Sequence, residues 1–595
     1  MSSALLSRLS ARTLFVVGKG GVGKSTAASA IALQLADQQQ QAHLISVDPA
    51  HSLADVFAQE ALPVPARANC NPGLILEEFD ARSFADDWLA ELRPALIEVA
   101  ERGTYLDAAD AQSFLDLSLP GVDEVMAALR ILQLTDGSAQ RIVVDTAPTG
   151  HLLRLLEAGS LLNSWSEALE AMARKADAVA IGMIGRAPEW AAVRLIEQWW
   201  AQSRAFADTT RNAQFVVVTR GDPVVEAETA RLVEALHARH LPVAAIIANT
   251  QPSGVADWFA PRLETAPAGC TGLRTWIQAT RSNDGPQVEA TSSRASAIAD
   301  HATDANTFDL LEALTEPLIL VAGKGGVGKS TVASAIAVMK AADRAICLVS
   351  TDPAGSLSDV FGQPVSAEPA QLVPGLTVWQ LAADAEFQRL RTRYTDEARL
   401  VFEKLGLDQA VSLDRAVIDR LWNLAPPGLD EIIAVTEVMA ATERCPSVIL
   451  DSAPTGHFLR LIQIPEVSIE WSHALMRLLL KYGVAGSLQD FTTELLAFAR
   501  RTRELQERLT TPGQAAVVLV TLDEPVVWAE TLRLHAALER AKIPVAALVI
   551  NRADGGPSRG YPPVVSSVRV IRAPNLDIPP IGADALRSYS RRWED

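Results

Sequence analysis

The chain has 595 residues, a formal net charge of -18, 49% hydrophobic and 21% charged residues. That is the balance of a globular protein with a substantial core, long enough for several domains. The acidic excess argues against general nucleic-acid binding, which needs a basic face. Four cysteines (Cys70, Cys270, Cys347 and Cys445) stand far apart with no C-x-x-C pair, unlike a disulfide framework or a zinc site. Cys347 lies inside the apolar run Ala345-Ile346-Cys347-Leu348-Val349 and reads as a buried structural thiol. No signal peptide is legible, and no run of about 18 apolar residues is present, so no membrane span and a cytoplasmic location are expected.

In chain order, Leu14 to Val17 reads as a buried parallel strand running into GKGGVGKST, Gly18 to Thr26, and then a helix. Glycines let the backbone curl so that successive N–H groups face an anion, and the helix N-terminus adds partial positive charge. Gly18, Gly20, Gly21, Val22, Gly23, Lys24, Ser25 and Thr26 are therefore expected to bind ATP. Lys24 would reach the β- and γ-phosphates, and the Ser25 hydroxyl would ligate Mg2+. Leu44 to Val47 is the next strand, ending at Asp48 of DPAHSLADVF. A carboxylate there can orient a water for in-line attack, or it can cap the turn that Asp-Pro favours. Ile142 to Val144 leads to Asp145 of DTAPTGH, where a carboxylate reaches Mg2+ through its water shell. The loop after it is rich in turn formers suited to a switch. Strands at 215–218 and 243–248 follow, the latter ending at Asn249.

The second half repeats this order. Gly323 to Thr331 reads GKGGVGKST, Asp352 begins DPAGSLSDVF, Pro427 begins PGLDE against PGVDE from Pro120, and Asp451 begins DSAPTGH. Val520 begins VTLDEPVVWAETLRL against VTRGDPVVEAETARL from Val218. Gly323, Gly325, Gly326, Val327, Gly328, Lys329, Ser330 and Thr331 thus form a second ATP loop, Ser330 and Asp451 a second Mg2+ side, and Asn551 ends the strand matching Asn249. Strand–helix alternation predicts two doubly wound, mostly parallel α/β domains with helical subdomains. The expected boundaries are 1–279 and 311–595, with a Ser/Ala/Thr/Asp-rich linker at 280–310.

Lys19 and Lys324 follow the first glycine of each loop. This G-K-G-G-V-G-K-S form resembles the deviant phosphate loop of the ParA/MinD, nitrogenase iron protein and arsenite-pump ATPase superfamily. DTAPTGH with DPAHSL upstream is more specific and resembles the arsenite-pump ATPase (ArsA) and the related tail-anchored-protein targeting ATPases. The resemblance covers nearly the whole chain outside the linker. It implies a pseudo-dimer within one monomer, with two ATPs between facing halves. It also implies that Lys19 and Lys324 reach the nucleotide held by the opposite half, where a cation supplied in trans offsets developing charge. Asp48 and Asp352 take the water-activating role, Asp145 and Asp451 the magnesium side, and Asn249 and Asn551 the adenine edge, which an amide suits by donating and accepting at once.

Two passengers are compatible with these motifs. A tandem chain is the usual layout of the arsenite pumps, so energised anion efflux through a membrane transporter, with peripheral attachment through it, is expected. Yet the family's metalloid cysteines fall at Val122 and Leu429, and soft As(III) or Sb(III) wants thiolates. The alternative passenger is a hydrophobic protein client, with Trp165 to Met172 or Val467 to Leu480 as candidate apolar faces; ordinary core packing accounts for the same spacing.

Overall fold

The computed structural model describes residues 2–48, 53–59, 65–103, 107–108, 112, 121–137, 140–147, 149–184, 191–263, 265, 267–283, 314–351, 356–381, 389, 429–452, 489–553, 568–576 and 578–594. The apolar runs of the first half become strands β1 (Thr13–Val17), β2 (Ala42–Ser46), β3 (Ala66–Ala68), β4 (Asn71–Glu78), β5 (Arg141–Asp145), β6 (Gln214–Thr219), β7 (Val243–Thr250), β8 (Trp258–Pro261) and β9 (Arg281–Ser282). Those of the second half become β10 (Leu318–Gly323), β11 (Ile346–Ser350), β12 (Ala370–Val373), β13 (Leu376–Gln380), β14 (Ser447–Asp451), β15 (Ala515–Leu522), β16 (Val545–Ala553) and β17 (Arg569–Pro574).

The two sheets share one topology. The first runs β3-β4-β2-β5-β1-β6-β7-β8-β9 and the second β12-β13-β11-β14-β10-β15-β16-β17. Pairing is parallel except at β3/β4, β8/β9 and β12/β13. In each sheet the phosphate-loop strand is central, between β5 and β6 or between β14 and β15. The chain winds outward from it in both directions, which opens a crevice beyond the carboxyl ends of the central strands. The first sheet continues to Arg281–Ser282, inside the segment read as linker, and residues 284–313 lie outside those described.

Alternation along β1 assigns its two faces. Leu14 and Val16 pack with Ala27, Ala28 and Ile31 of the helix Lys24–Asp37, whose small side chains let it lie close on the sheet. Phe15 turns the other way and stacks on Phe215, with centroids 5.1 Å apart. That second face is covered by the long helices Ala81–Gly103, Thr149–Ile184 and Ala191–Asn212. Their centre is an indole cluster. Trp88 stacks on Trp199 at 5.4 Å, and Trp165 meets Trp199 edge-on at 5.9 Å. Such aromatic pairs add about 0.5–1.5 kcal/mol each beyond area burial. The stripe from Trp165 to Met172 is therefore core: Trp165 is 3% and Met172 8% exposed. The other candidate stripe, 467–480, lies outside the described residues.

The cysteines correct the sequence reading. Cys347 is no free thiol: it is disulfide-bonded to Cys445, and Cys70 to Cys270. β11 lies beside β14, and Cys445 stands just ahead of β14, so the sheet brings Cys347 and Cys445 to a Cα separation of 5.8 Å. Cys70, in the turn before β4, meets the first turn of the helix Gly269–Ala279 at 6.3 Å. Sequence separations of 98 and 200 residues hid both pairs.

Candidate active site

Both phosphate loops leave the end of a central strand and enter a helix at its lysine. Gly23 and Gly328 precede those helices with φ of 96° and 92°, in the left-handed region that favours glycine. A Cβ at either position would meet an asparagine amide, Asn249 or Asn551. Those asparagines pin the loops from behind. Asn249 Nδ2 donates to the Val22 carbonyl at 2.9 Å, and Asn551 Nδ2 to that of Val327 at 2.7 Å. Their oxygens are engaged in turn: Trp276 Nε1 donates to Asn249 Oδ1 at 3.2 Å, and the Tyr589 hydroxyl to Asn551 Oδ1 at 2.6 Å. Asn249 keeps one N–H and one lone pair for another partner, whereas the Asn551 oxygen also accepts from the Arg552 backbone N–H at 2.9 Å and keeps only an N–H free on its amide nitrogen. Burial holds the Tyr589 phenol above its ordinary pKa, so it stays a donor.

Lys24 and Lys329 are buried, and each ammonium donates back to the loop at the carbonyl of Lys19 or Lys324, at 3.0 and 3.1 Å. Burial is the largest influence on Lys24 and pushes its pKa down. Lys324 of the other half adds to this, against Asp48, Asp145 and Glu228. Lys324 of the second half thus lies within electrostatic range of Lys24 in the first half's phosphate loop. The loops themselves touch, since a Cβ on Gly20 would lie 2.6 Å from the Cα of Gly325.

The carboxylates gather beside Lys24. Asp145 is fully buried and accepts from Ser46 Oγ at 3.2 Å; Asp451 accepts from Ser350 Oγ at 3.0 Å. Burial and then the charge of Asp48 raise the Asp145 pKa to about 7, opposed by Ser25, Lys24 and Ser46. Its Oδ1 has no hydrogen-bond partner among the described residues. A buried carboxylate with an open oxygen, beside the half-buried Asp48 and a serine hydroxyl, is a donor set that fits a hard cation. Thr26 and Thr331 sit in the first turns of the loop helices, half-buried. Asp352 lies outside the described residues. Val122 opens the helix Val122–Gly137 and packs against the core; Leu429 opens Leu429–Arg444.

Two pairs went unread in the sequence. Lys19 meets Glu228 at 2.7 Å and Lys324 meets Glu530 at 2.9 Å. Glu228 and Glu530 occupy the same position in the matched blocks VTRGDPVVEAETARL and VTLDEPVVWAETLRL, and that match was the available signal.

A glycine-rich loop between a central parallel strand and a helix, with a buried lysine and an acidic strand end beside it, defines a phosphate-loop nucleoside triphosphatase, here built twice. The family model described as anion-transporting ATPase matches residues 11–254 and again 316–554, and the chain belongs to that family. It is 28% identical to an arsenical pump-driving ATPase of Escherichia coli, over 97% of this chain and 98% of that protein. It is 26% identical to the ATPase ARSA1 of Chlamydomonas reinhardtii, over 97% of this chain and 86% of that protein. Identity is 28% to the ATPase GET3C of Arabidopsis thaliana, over 45% of this chain and 75% of that protein. The chain is an ATP hydrolase.

Proposed function

We propose that two Mg·ATP molecules bind at the contact between the halves and that their hydrolysis drives a membrane partner exporting an oxyanion. In this reading the loop amides with Lys24 or Lys329 hold the β- and γ-phosphates; Asn249 offers its remaining N–H and lone pair to the adenine edge, and Asn551 its remaining N–H. Ser25 with Asp145, and Ser330 with Asp451, would hold Mg2+. Charge neutralisation at the phosphate oxygens is the chemistry that Mg2+ supplies there when bound. Asp48 and Asp352 accept a hydrogen bond from the attacking water, whose oxygen bonds to the γ-phosphorus as the bond to the bridging oxygen breaks. ADP departs with that electron pair. Lys19 and Lys324 neutralise the charge that builds on the opposite nucleotide. Lys324's influence on Lys24 supports this reading.

The observation that carries the export role is the end-to-end match with the arsenical pump-driving ATPase, both halves included. A second reading, delivery of a hydrophobic protein client, is favoured by the metalloid positions: Val122 and Leu429 carry no thiol, and all four cysteines are in disulfides in this structure. ATP turnover with and without antimonite, in reducing buffer, separates the two. Export of a metalloid expects roughly tenfold stimulation, since ligand binding must favour the closed state to be coupled. Active enzyme without stimulation selects the protein client. No helix among the described residues is long and apolar enough to cross a membrane.

A further inference from the structure

We infer that Glu228 and Glu530 are resident anions: they hold the signature lysines Lys19 and Lys324 while no nucleotide is bound, and a γ-phosphate must displace them to engage those lysines. The inference rests on the reading that each lysine serves the nucleotide of the opposite half.

Four lysines converge where the loops touch. Lys19 and Lys324 flank the contact between Gly20 and Gly325, while Lys24 and Lys329 donate to the carbonyls of those same two lysines. Like charges this close are costly, and partial burial weakens solvent screening. The lysine side chains of the two ion pairs are 18% and 20% exposed, their glutamates only 6% each. Each pair is a short contact between opposite charges, 2.7 and 2.9 Å, in a partly buried place where their attraction is less screened than in water.

Within each pair the carboxylate is the fixed member. Glu228 lies on the helix Pro223–Ala238, beside Thr229, whose hydroxyl is 2.8 Å from that of Thr219 at the end of β6. Glu530 lies on Pro525–Arg540, beside Thr531, whose hydroxyl oxygen is 2.9 Å from that of Thr521 of β15. Both threonines also donate to a carbonyl one turn back, Val225 at 2.7 Å and Val527 at 2.8 Å. The helices are thereby locked to the sheets at the residue next to the carboxylate. The lysine, on four rotatable carbons, is the member able to move. ATP brings several negative oxygens to the loop and competes for the same ammonium. The two anions are alternatives, so some of the binding energy of ATP goes into breaking the resident pair.

The test is the affinity of a fluorescent N-methylanthraniloyl ATP analogue, with Mg2+, for the full chain and its variants. Glu228→Gln with Glu530→Gln keeps shape and removes the competing charge. Binding is expected to tighten roughly tenfold, the scale of one partly buried ion pair converted to affinity. Glu228→Asp with Glu530→Asp keeps the charge and should stay near the parent. The tightening should vanish when Lys19→Ala and Lys324→Ala are added. Unchanged or weaker binding in the glutamine variant overturns the inference, because a merely structural carboxylate would loosen the site when lost. If the double variant folds poorly, the single substitutions, measured separately, carry the same test. If the lysine variants alone change neither affinity nor turnover, the trans-lysine reading has failed; if they act while the glutamine variants do nothing, only the resident-anion inference has.

Discussion

Asp145 shows how one residue ties folding to ligand. It is fully buried, next to Asp48, with its pKa raised from 3.8 to about 7. Between those values the native state holds more protons than the unfolded chain, so stability falls as pH rises through that window. The contribution is fully present below pH 3.8 and lost as pH passes about 7. Asp145→Asn removes the titration. In nucleotide-free protein with chelator, the variant should melt about 5 °C above the parent at pH 8, and the difference should close at pH 4. Its ATPase activity should nonetheless fall by more than roughly tenfold, because a cation site loses its charge. Equal melting at both pH values would refute this role for Asp145. At this scale the phosphate-loop residues were legible because their spacing carries the chemistry. Trp276 and Tyr589 were not: a hydrogen bond to an asparagine 27 or 38 residues away leaves no local pattern, although both close their halves in matched positions.

Among the elements, the central strands were legible because both their faces are covered. β1 and β10 are buried along their whole length and read as unbroken apolar runs. The outer strands β3, β4 and β17 interrupt their buried positions with half-buried or exposed ones, β12 has no buried position, and no continuous run marks them. The phosphate loops have a second role, which the resemblance of their motif implied, as the surface on which the halves touch. Gly20 is at that contact, and an added Cβ would press on the Gly325 backbone. Gly20→Ala should therefore leave each domain folded but hold the halves apart. Turnover is expected to drop at least roughly tenfold, with the melting midpoint within about 2 °C of the parent. Small-angle scattering should show a larger radius of gyration in the absence of nucleotide. Gly254→Ala, where an added Cβ meets nothing within 4 Å, is the matched control. Full activity in Gly20→Ala would mean that the loop contact plays no part in turnover.

At the scale of the whole molecule, the repeat and its motifs implied a facing pair but not which side chains join the halves away from the phosphate loops. The structure answers with reciprocal ion pairs. Arg231 of the first half reaches Asp359 of the second at 3.2 Å, and Arg533 of the second reaches Asp55 of the first at 3.2 Å. These are corresponding positions in the matched blocks, so one contact is written twice. A third bond, Arg552 to Asp222 at 3.2 Å, has no such counterpart, because Thr250 stands where Arg552 would be repeated. Asp55 and Asp359 lie on the short helices Leu53–Phe57 and Ser356–Phe361, just beyond Asp48 and Asp352. Arg231 and Arg533 lie three residues beyond Glu228 and Glu530. One clasp therefore joins the segment after Asp48 to the helix whose Glu530 holds Lys324, and the other joins the segment after Asp352 to the helix whose Glu228 holds Lys19. Exposed pairs of this kind contribute only about 0.2–1 kcal/mol each, so their loss alone would barely change stability. Reversal is the sharper probe, since it turns attraction into repulsion at both clasps. Arg231→Glu with Arg533→Glu should cut ATP turnover about fivefold at low ionic strength, and by less in roughly 0.5 M salt, where the Debye length is only a few ångströms. Adding Asp55→Arg and Asp359→Arg restores opposite charges across both contacts and should recover most of the activity. A reversed pair that turns over normally, or a fourfold variant that stays impaired, would show that the halves communicate through the glycine contact rather than through these clasps.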